Sequence, residues 1–328
     1  MTSRREFITL LGGAVAWPLA AQAQQASKLP RVGYLSDERA TLHVFHSQEW
    51  ILKGLREGGY ADGRNIIMEY RYAAGKVEQL PSLAAELAAF PVDIILAVGT
   101  PAARAAMAAT KTIPIIFCRI GDPVGLGLVA SLARPGGNAT GVSVFATELA
   151  KKRVEVLKDE VPELKRFAIL HEPNFPPGEA ELKEVMAAAA SLNVQVYRLG
   201  INNLAVLENS LPELMKQRPQ ALFVGSSGWF EDNPRQFLDF ALKTRLPTLY
   251  VRREYVEMGG IMSYGIDYRE MYRNAASYII RVLKGQNPVE LPVIQPTKVQ
   301  LLINLKSANA IGLTITPPLL IRADEVIE

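Results

Sequence analysis

With 328 residues, 49% of them hydrophobic, the chain is long enough for two ordinary domains and apolar enough to fill both cores, which excludes a single small module. The net charge is +3, of which Arg4, Arg5 and Glu6 together contribute +1, so the remainder carries about +2 and does not suit a phosphate-coated partner such as nucleic acid. The one cysteine, Cys118, has no partner for a disulfide within the chain, and in the run Ile113-Pro-Ile-Ile-Phe-Cys118 it reads as a buried small hydrophobe.

The N-terminus reads as an export signal. Ser3-Arg-Arg-Glu-Phe-Ile8 supplies a positive start, residues 10–19 a short apolar stretch, and Ala21-Gln-Ala23 a small-residue cleavage site. The arginine pair followed by Phe7 resembles a twin-arginine signal, so export to the bacterial periplasm with cleavage after Ala23 is expected. The apolar stretch is too short for a comfortable membrane span, and no later segment has the uninterrupted apolar length of one.

Beyond the signal, Arg31-Val-Gly-Tyr-Leu35 is a strand ending at Ser36 and Asp37, and residues 47–57 form a helix with Ile51, Leu52 and Leu55 on one face. Residues 65–72 alternate as a strand. Leu80, Leu83, Ala84, Leu87 and Ala88 recur at helical spacing. Ile94-Ile-Leu-Ala-Val-Gly-Thr-Pro-Ala-Ala-Arg104 then runs from a strand, apolar throughout and so buried on both faces, through a turn into a helix with Pro101 in its first turn. Strands over 113–120 and 140–145 complete the first set, with a turn at Gly121-Asp-Pro123. The rhythm restarts with a helix over 151–161, a strand at Arg166-Phe-Ala-Ile-Leu-His171, a helix through Leu182, Val185, Met186 and Ala189, and a strand over 194–199. Pro212 is expected to kink or split the helix over 204–217. Elements at 221–224, 237–242, 248–251 and 261–264 follow, then a long helix over 267–283 and a strand over 299–303.

The halves echo one another. Thr112-Ile-Pro-Ile-Ile-Phe117 parallels Arg245-Leu-Pro-Thr-Leu-Tyr250, and Thr140-Gly-Val-Ser143 parallels Gly260-Ile-Met-Ser-Tyr264. The fold class is therefore α/β, with two similar Rossmann-like lobes, parallel sheets and a hinge, where Gly259, Gly260 and Gly265 supply flexible backbone for a crossover. Lobe 1 is expected to comprise residues 28–145 plus 266–300 and lobe 2 residues 146–265, with 301–328 assigned to neither.

Enzyme chemistry has no anchor in this pattern. His43 and His46 are spaced i, i+3 but lack a third ligand at a motif spacing, so no metal is expected, and exposed histidines at a helix entry account for them. There is no Gly-x-Ser-x-Gly elbow and no phosphate-binding loop, and the glycines of Gly121-Asp-Pro-Val-Gly-Leu-Gly127 do not fit a dinucleotide fingerprint. No cofactor is expected. An exported α/β hydrolase using His171 or Glu172 stands as an alternative.

What recurs at strand ends is small and polar. Ser36, Thr100, Ser143, Ser226 and Ser227, with Asp122, Asn174, Tyr250, Tyr264 and Asp267 near similar ends, form the candidate ligand site. Hydroxyls and helix N-terminal N–H groups suit a carboxylate or another compact polar solute, and tyrosines can wall off its apolar part. An equally simple reading makes each hydroxyl a helix cap and Asp122 and Asp267 likewise. Trp229 and Phe230 either line the cleft or pack in the core.

Ser3 to Phe7 with Ala21-Gln-Ala23, Val98-Gly-Thr-Pro101, Gly121-Asp-Pro123, Arg134-Pro-Gly-Gly-Asn138, Thr140-Gly-Val142 and Met262-Ser-Tyr-Gly265 belong to one wider pattern. It ends with Leu291-Pro-Val-Ile-Gln-Pro-Thr-Lys298, Asn304-Leu-Lys306 and Ala323-Asp-Glu-Val-Ile327. Across nearly the whole chain it resembles the ABC transporter substrate-binding proteins of the TrpX-like family. The resemblance implies a type I periplasmic-binding-protein fold whose lobes close on a small solute, an amino acid or related carboxylate, for delivery to an inner-membrane permease and its ATPase. A ligand sensor for a membrane signalling protein shares that fold and remains the alternative. The receptor is expected to act as a monomer. Carried over by position, the turns at Thr100, Asp122, Ser226-Ser227 and Tyr264 are the implied pocket. Ile294 stands where the family pattern leads one to expect an acidic residue, and is expected to touch the hinge surface.

Overall fold

The structure is a computed structural model that describes residues 29–37, 47–144, 147–296 and 298–328. The export-signal segment and His43 and His46 lie outside the described residues.

Apolar runs build two separate sheets. The first holds β1 (Arg31–Ser36), β2 (Ile67–Tyr72), β3 (Ile94–Val98), β4 (Ile115–Ile120) and β5 (Ala139–Ser143), all parallel, in the order β2-β1-β3-β4-β5. The second holds β6 (Arg166–His171), β7 (Gln195–Gly200), β8 (Leu222–Val224), β9 (Thr248–Tyr250), β10 (Met262–Ile266), β11 (Val299–Asn304) and β12 (Glu325–Ile327). Its order is β12-β11-β10-β9-β8-β6-β7, and only the β10–β11 pair is antiparallel. Read from β7, the first five strands repeat the order of the first sheet. The internal echoes in the sequence are this repeat: β4 matches β9 and β5 matches β10.

Strand β3 shows why continuous apolar runs are needed. Side chains alternate across a strand, and here Ile94, Leu96 and Val98 enter one core while Ile95 and Ala97 enter another on the opposite face. Helices cover both faces: α1 (Ser47–Glu57), α2 (Leu80–Ala89) and α3 (Thr100–Ala109) belong to the first lobe. The second is covered by α4 (Thr147–Glu160), α5 (Pro176–Ser191), α6 (Leu204–Lys216), α7 (Gly228–Asp232), α8 (Pro234–Thr244) and α9 (Arg253–Glu257).

The chain passes between lobes three times. After β5 it enters α4, whose Val154 and Leu157 pack with Phe167 and Ile169 of the second lobe. After β10 it returns as α10 (Tyr268–Leu283), whose Met271, Tyr272, Ala275 and Ile279 pack with Ile51 and Leu55 of α1. Residues 291–294 then run along β5, where Thr140 Oγ1 donates to the Leu291 carbonyl at 2.6 Å and the Ser143 N–H to the Ile294 carbonyl at 2.9 Å. From there the chain re-enters the second sheet as β11, and the short helices α11 (Leu305–Ala310) and α12 (Pro317–Arg322) lead to β12.

Two expectations are corrected. Helix α6 is not split at Pro212, because the Glu208 carbonyl that loses a partner lies on the exposed side, where water can satisfy it. Gly265 does not serve as a flexible joint: a Cβ there would lie 2.2 Å from the Val251 carbonyl oxygen, just as one at Gly141 would lie 1.9 Å from that of Phe117. Both glycines permit close strand approach. No helix among the described residues is long and apolar enough to cross a membrane.

Candidate ligand-binding site

Parallel strands present their carboxyl ends to a common edge, and the two sheets bring such edges together across the crossovers. In lobe 1 three strand ends converge. Asp37 follows β1, Gly99 joins β3 to α3 with φ +91°, and Arg119 lies near the end of β4. Arg119 has φ +61° at a register break between Cys118 and Ile120, a bulge that re-aims its side chain. Its Nη2 donates to Asp37 Oδ1 at 3.0 Å, and a Cβ on Gly99 would lie 3.4 Å from both atoms. The first turn of α3 has no side-chain cap, and Thr100 and Pro101 open it, so its N-terminal dipole is available to an anion.

In lobe 2, β8 runs into the turn Gly225-Ser226-Ser227. Ser227 Oγ accepts from the Phe230 N–H at 3.0 Å, capping α7, and donates to Glu172 Oε2 at 2.5 Å. The Ser226 N–H donates to Glu181 Oε2 at 2.5 Å. The other oxygen of Glu181 accepts from Arg153 at 2.6 Å, and Arg153 Nε donates to the Tyr264 carbonyl at 3.0 Å. This chain of bonds ties the turn to β10 and so to the second crossover. His171 lies 3.7 Å from Glu179, and burial lowers its pKa, partly offset by that carboxylate, so it is neutral at pH 7.

Arg252 follows β9 and is 1% exposed. Its Nη1 lies 3.0 Å from Glu231 and its Nε 3.3 Å from Glu254, while its guanidinium carbon sits 4.3 Å from the centre of the Tyr268 ring. Burial opposes ionisation of Glu254, yet the charge and hydrogen bonds of Arg252 hold its carboxyl below the usual range. Burial raises the pKa of Tyr268. The positive charge of Arg252, stacked on the ring, acts against that rise.

The sequence-predicted residues divide into groups. Ser36 is buried at the end of β1 beside Asp37, Thr100 opens α3, and Ser226 and Ser227 form the lobe 2 turn. Ser143 is buried against the Ile294 carbonyl of the third crossover. Tyr264 is partly buried on β10, and its hydroxyl pKa is raised by burial against the opposing charges of Lys152 and Arg153. Asp122 accepts from the Gly125 N–H at 2.8 Å and so closes its own turn, while Asp267 accepts from the N–H groups of Arg269 and Glu270 and caps α10. Asn174 is exposed at φ +63°. Tyr250 is 1% exposed and stacks on Tyr255 with 4.8 Å between ring centres, inside the lobe 2 core. Phe230 is core, and Trp229 packs edge-on against it and Phe237.

Sequence reasoning missed Arg119, Arg252 and Tyr268. A signal for the arginines was present: extended by two residues, the echoed segments end Cys118-Arg119 and Val251-Arg252. Among the described residues, no group of three or more His, Cys, Asp or Glu side chains could hold a metal ion.

A family model described as ABC transporter substrate binding protein matches residues 44–327. The tyrosine-binding protein of Clostridioides difficile is 27% identical over 267 residues, covering 81% of this chain and 76% of that protein. Among solved structures, an ABC domain from Streptococcus pneumoniae in complex with L-Trp is 27% identical with a TM-score of 0.76, covering 92% of this chain and 100% of that one. A conserved domain protein from Vibrio cholerae is 26% identical with a TM-score of 0.78, covering 91% of this chain and 100% of that one.

Proposed function

The chain belongs to the ABC transporter substrate-binding protein family, and from that premise we propose that its cleft closes on an amino acid, with Arg119 taking the carboxylate. It has the two-lobed type I periplasmic-binding-protein fold, and it is a solute-binding receptor for an ABC importer, not an enzyme. The observation that carries the ligand reading is the pair of arginines at equivalent strand ends, each held by carboxylates of its own lobe. A guanidinium fork matches a planar carboxylate, and the open N-terminus of α3 adds favourable dipole beside it. Carboxylates on both lips, Asp37 and Glu172, suit an ammonium group. The tyrosine and L-Trp named for the two relatives belong to the same class of solute.

Capture works through populations. A solute that touches both lips binds the closed arrangement more tightly than the open one and shifts the balance by that difference. Moving the equilibrium from about 1:99 to 99:1 takes roughly a 10⁴-fold difference in affinity. Calorimetry with L-tyrosine, L-tryptophan and L-phenylalanine tests the ligand class: saturable binding with one solute per chain is expected, and no binding by any of them contradicts it.

The import partners in this reading are a membrane permease and its ATPase, and the working compartment is the periplasm, reached by a twin-arginine signal cut after Ala23. N-terminal sequencing of the exported protein is expected to start at Gln24; a chain that still begins at Met1 contradicts the cleavage.

A further inference from the structure

An ion pair lies inside lobe 2 behind the turn proposed to meet the solute. Arg153 of α4 and Glu181 of α5 pair at 2.6 Å, with side chains only 8% and 6% exposed. Their other bonds lead in two directions. Glu181 Oε2 accepts from the Ser226 N–H in that turn, and Arg153 Nε donates to the Tyr264 carbonyl on β10. Tyr264 sits at the seam, since its side chain packs against core clusters of both lobes. Helix α4 straddles the same seam: Leu149 packs with the lobe 1 core, and Ala150 and Val154 with that of lobe 2.

Two glycines make room for this arrangement. A Cβ on Gly225 would lie 3.1 Å from Glu181 Oε2, and one on Gly178, in the first turn of α5, would lie 2.9 Å from the Ser226 carbonyl oxygen. A buried ion pair is a weak source of stability, because desolvation of both charges offsets their attraction and apolar residues of like volume can replace it at little cost. Lobe 2 already has two apolar clusters to hold it together. What the pair adds over apolar packing is direction, since each charged hydrogen bond fixes its partner along one line.

We propose that Glu181 and Arg153 are positioning residues that couple solute contact at the Ser226-Ser227 turn to the seam between the lobes. They hold the turn in one orientation relative to β10 and α4, so a solute seated on it meets a surface already set for the closed arrangement. Without this brace the turn takes up other orientations, and the solute's preference for the closed state over the open one shrinks. The inference rests on the reading of that turn as a solute contact and adds residues that do not themselves touch the solute.

The test compares the mature wild type with Arg153→Lys and with a double variant, Arg153→Met plus Glu181→Gln. Arg153→Lys keeps a charge beside Glu181 and gives up the fork that also reaches the Tyr264 carbonyl. The double variant leaves no lone buried charge and keeps an amide oxygen for the Ser226 N–H, while cutting the link to β10. Calorimetry with L-tyrosine, L-tryptophan and L-phenylalanine gives affinity, thermal melts follow the fold, and small-angle X-ray scattering follows closure. For the solute that the wild type binds most tightly, each variant is expected to bind about tenfold more weakly and to contract by about half as much or less at saturation, with little change in Tm. A purely structural pair would instead lower Tm and leave affinity and contraction of the folded chain unchanged. Folded variants that bind within about twofold of the wild type, or that contract as fully, therefore overturn the inference and leave the amino-acid reading standing. A wild type that binds without contracting overturns it as well. Should the double variant not fold, Arg153→Lys decides by the same criteria. Binding of none of the three solutes by the wild type overturns both the inference and the amino-acid reading.

Discussion

Arg119 occupies left-handed backbone, which costs a non-glycine residue of order 1–3 kcal/mol and persists where the surrounding structure holds it for a purpose. Its side chain is 22% exposed and that of Asp37 18%, so solvent and solute can reach the pair. Arg252, its counterpart in lobe 2, is enclosed by two carboxylates and a tyrosine ring. Truncating each should therefore have different consequences. Arg119→Ala is expected to weaken amino-acid binding by about ten- to a hundredfold, as for loss of a charge-assisted hydrogen bond, with little change in Tm. Unchanged affinity, measured by calorimetry, contradicts its assigned role. Little of this was legible in the sequence. Ser36, Thr100 and Ser227 could be placed at strand ends because they follow apolar runs, but the convergence of Asp37 and Arg119, 82 positions apart, is a tertiary fact.

At the scale of elements, strands and helices were largely legible because burial on both faces demands unbroken apolar runs and amphipathic helices repeat at 3.6 residues. The sequence places the start of the long helix at residue 267; in the structure Asp267 is its cap, and Met271, Ala275 and Ile279 lie buried along one face. Pro212 and Gly265 were misread for a shared reason. A residue's identity shows which conformations it permits, whereas its neighbours determine which of those properties matters. Pro212 faces solvent, and Gly265 faces a carbonyl. Gly265→Ala is accordingly expected to lower stability by about 1–3 kcal/mol through forced separation of β9 and β10, seen as a lower denaturation midpoint. A midpoint equal to that of the wild type contradicts the close-approach account.

On the scale of the whole molecule, two lobes of one topology exchange helices at their seams: β5 leads to α4 in the second lobe, and β10 leads to α10 in the first. Three crossing segments leave rotation about the seam as the natural large motion, since each lobe keeps its own packed cores. The repeat in the sequence foreshadowed this architecture, while the bond from Arg153 to the Tyr264 carbonyl depended on how the crossover helix packs. The central claim is that an amino acid held between Arg119 and the lobe 2 turn draws the lobes together. Small-angle X-ray scattering of the mature chain with and without saturating L-tyrosine, at concentrations fixed by calorimetry, tests it most directly. The account predicts a smaller radius of gyration with solute bound; tight binding in calorimetry with an unchanged scattering profile contradicts it.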